Sequence, residues 1–178
     1  MNNLEILSGL HYKSDVEIIV QYQNGKQSTI ATHNEALPGM SEFFAQALIG
    51  YDTRSAVPTA VMLKQQTTDV HGETIEVPIL LSPVILTGKN YSKVTTGDYV
   101  GYYQSSFNVL ITNNYLNAQA DAANTKNFLY MQNANGVEFA KIRLVNTDGE
   151  EVALNTFLAA GKNLIINWKL ILCNYKGE

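Results

Sequence analysis

The chain has 178 residues, 46% of them hydrophobic and only 16% charged, with a formal net charge of −4 and one cysteine. That length fits one domain with a substantial core. The absence of any block of Lys or Arg argues against nucleic-acid binding, which needs a concentrated cationic face, and the single Cys173 excludes an intrachain disulfide framework.

Asn, Gln, Thr, Ser and Tyr take the place of the missing charge. A surface of neutral amides and hydroxyls loses less desolvation energy on being covered than one of Lys and Glu, so the composition points to flanks that touch other protein. No charged-then-apolar leader opens the sequence, and no run of about 18 apolar residues occurs. A soluble protein without an export signal or membrane span is expected.

In chain order, "DVEIIVQYQNGKQSTIATH" places Val16, Ile18, Val20 and Tyr22 on one face, then Asn24-Gly25, then a second extended run. This predicts a hairpin closed by a type I′ turn. His33 and Asn34 follow, suited to tying the hairpin to the next element by side-chain hydrogen bonds. "LPGMSEFFAQALIGYD" carries Met40, Phe43, Phe44, Ala47 and Leu48 at helical spacing between Pro38 and Gly50. That spacing predicts a helix of about three turns with its Phe face on a sheet.

"VPTAVMLKQQ", "ETIEVPILLSPVIL" and "DYVGYYQSSFNVLIT" read as strands, with Pro78 and Pro83 confining the second to an edge, a bulge or two short strands. "TGKNYSKVTTGDY" and "TNNYLNAQADAANTKN" read as projecting loops. "NFLYMQNANGVEFAKIRLVNTDGEEVAL" predicts a meander of three strands divided at Asn135-Gly136 and Asp148-Gly149. Ala140, Ile142 and Leu144 face inward there, and Lys141 and Arg143 face water.

The last strand, "GKNLIINWKLILCNY", sets Leu164, Ile166, Trp168, Leu170 and Leu172 on one apolar face, with Cys173 as a small buried filler. Its other face carries Ile165 and Ile171, too apolar for a wet surface, which makes them a candidate assembly interface. The expected fold is mainly β: an antiparallel β-sandwich or open barrel with one short early α-helix. Residues 1–178 are read as a single domain whose central part, 72–127, is loop-rich.

Chemistry is sparsely signalled. Asp69, His71 and Glu73 alternate, so on a strand they would share a face able to hold a divalent cation, with His11 or His33 adding a nitrogen. Gly72 in their midst favours a solvated hairpin tip instead. No G-x-S-x-G elbow presents a serine nucleophile, and neither phosphate-binding glycine motif occurs. Tyr91, Tyr99, Tyr102 and Tyr103 are candidate ligand-facing aromatics for stacking on sugar, weighed against the ordinary frequency of tyrosine on half-buried strands.

Four segments, in order, carry a family resemblance. The strand, Asn24-Gly25 turn, His33-Asn34 pair and helix with Gly39, Met40 and Gly50 resemble the opening of small tailed-bacteriophage virion structural proteins and fibre-anchoring β-domains. "VPTAVMLKQQ" is similar to the strand that follows, "VEFAKIRLVN" to a later one, and "KNLIINWKLILCNY", with Trp168 in the aromatic place, to the closing one. Gly72–Asn127 departs from the pattern, and "KQQTTD" replaces the usual Gly-Thr-Gly.

The resemblance implies a non-enzymatic virion protein with no cofactor and no catalytic residue. It would be a tail, collar or fibre-adaptor component, or alternatively a capsid decoration protein or a carbohydrate- or receptor-binding module. It would be assembled in the host cytoplasm into the virion, as a homo-oligomer or in several copies on a symmetric platform. Its partners would be other virion proteins, with neither nucleic acid nor membrane among them.

Overall fold

Glycine-containing turns cut the chain into short strands. The computed structural model describes residues 10–33, 35–51, 57–94 and 102–174, with side chains except at 10–14, 30–33, 94, 102–103 and 171–174. The order is β1 (Leu10–Gln21), β2 (Gln27–His33), β3 (Glu35–Ala36), α1 (Pro38–Leu48), β4 (Ala60–Thr68), β5 (Thr74–Pro78) and β6 (Val84–Ile85). Then come β7 (Thr87–Val94), β8 (Tyr102–Thr112), β9 (Asn127–Gln132), β10 (Glu138–Arg143), α2 (Leu154–Leu158) and β11 (Asn163–Asn174).

Two antiparallel sheets result. The first runs β2-β1-β11-β8-β7; the second runs β3-β10-β9-β4-β5, with β6 also paired to β4. One apolar cluster fills the space between them, drawing Val16, Ile18, Leu164, Ile166 and Trp168 from the first sheet and Leu63, Leu129, Met131 and Ile142 from the second. This is a mainly β, sandwich-type architecture, as the alternation of apolar and polar residues predicts.

The closing strand lies inside the first sheet. β11 pairs with β1 over its whole length on one side and with β8 on the other. A central strand needs an inner face for the core, which explains why Leu164, Ile166 and Trp168 are fully buried.

Helix α1 begins at Pro38, whose fixed φ and missing N–H suit the first helical turn. Phe43 packs edge-on to Phe139 of β10, with ring centroids 6.0 Å apart. Gly39 permits this approach: a Cβ there would stand 2.5 Å from the Glu138 carbonyl oxygen.

The Asn24-Gly25 turn differs from the type I′ expectation, and three further hairpin-type turns share its form. Among the described residues no non-glycine has positive φ, whereas Gly25, Gly72, Gly136 and Gly149 lie between +78° and +83°. In each turn the glycine N–H bonds to a carbonyl three residues back: Tyr22, Asp69, Asn133 or Asn146. These are three-residue loops with glycine in the left-handed position. At Asp69, Asn133 and Asn146 the side-chain oxygen also accepts backbone N–H groups two and four residues ahead. The asparagine or aspartate that opens the turn, rather than the residue before glycine, organises it.

Other expectations are corrected by tertiary contacts. The third run of the meander forms only an isolated bridge, Val145 to Glu151, after which Leu154, Phe157 and Leu158 are buried on α2. The segment read as a loop from Thr87 is strand β7 through Val94. The asparagine-rich stretch after β8 does not project. Asn117 donates to the carbonyls of Pro78 and Leu80, and Asn124 to that of Gln66, fastening it to the second sheet. Pro78 ends edge strand β5 and Pro83 precedes β6, the two-short-strand arrangement.

Candidate assembly interface

Strand alternation sends odd-numbered positions of β1 and β11 to the outer face of the first sheet. There the register sets Ile19 opposite Ile165, and Ile165 opposite Leu110 of β8. Thr29 of β2 continues the row beyond Ile19. Ile19 and Ile165 are half-buried by their neighbours, and Leu110 is 47% exposed. Three aliphatic side chains from three strands thus form one continuous row, and the sequence pattern points to Ile165 alone among them.

Neutral amides border this row on both sides. On one side Asn167 donates to Glu17 at 2.8 Å and stands opposite Asn108. On the other, Asn163 donates to Gln21 at 3.3 Å and stands opposite Thr112. An apolar centre with a hydrogen-bonding rim and few charges is the usual anatomy of a protein interface. Ile171 belongs to another row, registering with Lys13 and Gln104, and its side chain lies outside the described residues.

The outer face of the second sheet is covered by its own side chains. Lys141 donates to Glu76 at 2.5 Å, and the Tyr130 hydroxyl donates to the other oxygen of that carboxylate. Lys64 pairs with Glu138 at 2.5 Å and sits 4.4 Å from the Tyr130 ring centroid; Lys141 lies 4.1 Å from that of Phe128. Tyr130 is only 5% exposed beneath this layer.

Burial works against the charge of Glu76, but hydrogen bonds from Lys141 and Tyr130, with the positive charges of Lys141 and Lys64, hold its carboxyl below the ordinary value. Burial and the hydrogen bond to Glu76 push the Tyr130 hydroxyl up to about 12. The cations here already have partners on this sheet, whereas the aliphatic row of the first sheet has none above it among the described residues.

The tyrosine candidates are not brought together as a described platform. Tyr91 is on β7 and 72% exposed. Tyr102 and Tyr103 are on β8, opposite Val94 and Lys93, with side chains outside the description, and Tyr99 lies outside the described residues altogether. Tyr91 and Lys89 line a cleft of about 620 Å³ whose other walls include Phe43, Phe44, Phe107 and Leu170. Asn90, Ser105 and Ser106 also line it, so the cleft sets hydrogen-bonding groups beside an apolar, aromatic wall.

Asp69, His71 and Glu73 form a hairpin tip, with the Asp69 carboxylate capping the turn. Among the described residues no group of three His, Cys, Asp or Glu side chains is placed to hold a metal ion. His11 and Cys173 stand opposite each other in the β1–β11 register and His33 ends β2, all with side chains outside the description; Asn34 lies outside the described residues. Among the described residues no helix is long and apolar enough to cross a membrane.

The fold and its surfaces define a two-sheet antiparallel β protein of the sandwich type. Comparison of the chain with protein-family models gives no match, and comparison with curated proteins gives none.

Proposed function

We propose that this chain is a non-enzymatic bacteriophage virion structural protein, a tail, collar or fibre-adaptor component that assembles in several copies with itself and with other virion proteins. The observation that carries the assembly role is the Ile19–Ile165–Leu110 row, open to a partner and bordered by amides. The phage assignment itself rests on the resemblance of the ordered segments described above.

Magnitude favours repetition over a lone contact. Covering the remaining surface of the row removes on the order of 150 Å² from water, roughly 4 kcal/mol. Association costs at least about as much. One such contact barely holds two bodies together, whereas the same contact repeated around a closed ring holds firmly.

Gradient-purified phage particles, labelled with gold-conjugated antibody to this chain and examined by mass spectrometry, test the proposal. Gold at the tail or neck is the expected result, gold over the whole head assigns capsid decoration instead, and a chain absent from particles by mass spectrometry overturns the reading. Exposed Tyr91 beside the cleft favours a receptor-binding module as the second reading. Glycan-array binding that disappears in Tyr91→Ala, with the fold intact, would select it.

A further inference from the structure

We propose that β2 is a docking edge and that its occupant is β2 of a second copy, running antiparallel across a two-fold axis at Ile30. The inference deepens the multicopy reading and rests on it.

A sheet edge presents unpaired backbone N–H and C=O groups that will accept another strand, and proteins ordinarily block this with charge, proline, a bulge or shortness. Among the described strands, the other edges of the two sheets are blocked in these ways. β7 carries Lys89 and Lys93 and has a register shift between Thr87 and Asn90. β5 has five residues, bears Glu76 and ends in Pro78; β3 has two residues. β2 has none of these devices. It is seven residues long, Gln27-Ser28-Thr29-Ile30-Ala31-Thr32-His33, without Lys, Arg, Asp, Glu, Pro or Gly. It pairs with β1 without a register shift and, among the described strands, with no other.

Its sequence suits its own copy. An axis at Ile30 sets Gln27 opposite His33, Ser28 opposite Thr32 and Thr29 opposite Ala31, so no like-charged carboxylates or ammonium groups meet. Whichever alternate residues point their backbone groups outward, this register joins them to residues of the same set. The strands then exchange about six to eight backbone hydrogen bonds. The axis also continues an aliphatic row. Val109, Ile166 and Ile18 are buried and adjacent across β8, β11 and β1, and Ile30 holds the next position. At the axis that row meets its symmetry mate, giving one ten-stranded sheet from two five-stranded ones.

Charge at positions 29 and 31 tests the pairing, because these positions face each other twice in the dimer. The full chain is compared by sedimentation over a range of concentrations, with circular dichroism to confirm that each variant folds. The wild type is expected to dimerise. Thr29→Lys with Ala31→Lys sets lysine against lysine and weakens association by about tenfold or more. Thr29→Glu with Ala31→Lys sets glutamate against lysine and retains the dimer.

A wild type that stays monomeric, a lysine–lysine variant that dimerises like wild type, or two double variants that dissociate equally would each overturn the proposal. If the variants fail to fold, amide hydrogen exchange of the wild type decides: β2 protection that rises with protein concentration supports the pairing, and protection independent of concentration overturns it. A dimer that is absent from phage particles keeps the pairing and discards the virion reading; a monomer found in particles does the reverse.

Discussion

Gln65 of β4 donates to Asn127 Oδ1 of β9 at 2.9 Å, the two standing directly opposite in the register and both buried. Gln65 also grips the loop ahead of β9, donating to the Asp121 carbonyl at 2.8 Å and accepting from the Asp121 N–H at 2.9 Å. Asn127 in turn donates to the Asn124 carbonyl at 2.8 Å. These bonds close the inner face of the second sheet where apolar residues give way to amides.

Gln65→Leu should therefore be costly despite its apolar gain. It removes partners from Asp121 and Asn127 together, and a destabilisation of about 2–4 kcal/mol is expected in urea unfolding. Hydrogen exchange should quicken across 117–124 in the same variant. A loss below about 0.5 kcal/mol would mean that water replaces these bonds without penalty.

Trp168 is the only tryptophan and is fully buried, its ring centroid 5.9 Å from that of Phe107. Emission of the native protein should be blue-shifted and poorly quenched by iodide, shifting to the red on unfolding. Trp168→Ala should cost about 3–5 kcal/mol, and Trp168→Phe distinctly less. Equal losses would show that the site is filled by neighbours rather than by the indole.

Glu76 and Tyr130 predict opposite pH limbs. A carboxyl held below its ordinary value of 4.5 contributes stability above that pH, and the contribution is lost as pH falls through the lower folded value. Glu76→Gln should flatten the acid limb of urea midpoints. Tyr130, raised from an ordinary 10 to about 12, contributes fully below pH 10 and loses that contribution as pH rises towards 12. Burial works against the charge of Lys141, but its hydrogen bonds and charge interactions with Glu76 and Tyr130 hold it above its ordinary value, so it acts in the same direction. Tyr130→Phe should remove a tyrosinate absorbance step near pH 12 and soften the alkaline limb. Limbs parallel to wild type in both variants would count against the network.

Ile165→Glu places a charge in the middle of the outer aliphatic row, whereas Ile171→Glu places one between Lys13 and Gln104. The first should lower the mass of assemblies beyond the β2 pair in light scattering, and the second should do so much less. Equal effects would remove the row's special status.

Periodicity alone determined the mainly β class, with sandwich and open barrel both left open, the helix at Pro38–Leu48 and the inner wall at Leu164, Ile166 and Trp168, because burial on one face imposes a period of two and packing a helix on a sheet imposes its own spacing. Glycine after an asparagine or aspartate marked the turns, but the type I′ form expected at Asn24-Gly25 gave way to a three-residue loop in which Gly25 alone takes positive φ. The outer face of Ile165 was legible as anomalous.

That Ile19 and Leu110 flank Ile165 was not legible, since strands separated by most of the chain become neighbours only when β11 inserts between β1 and β8. The pairing of Glu76 with Tyr130 and Lys141, and the fastening of the asparagine-rich loop, were hidden for the same reason. Local pattern fixes which way a side chain points; the order of strands in a sheet, decided by the packing of the whole core, fixes what it meets.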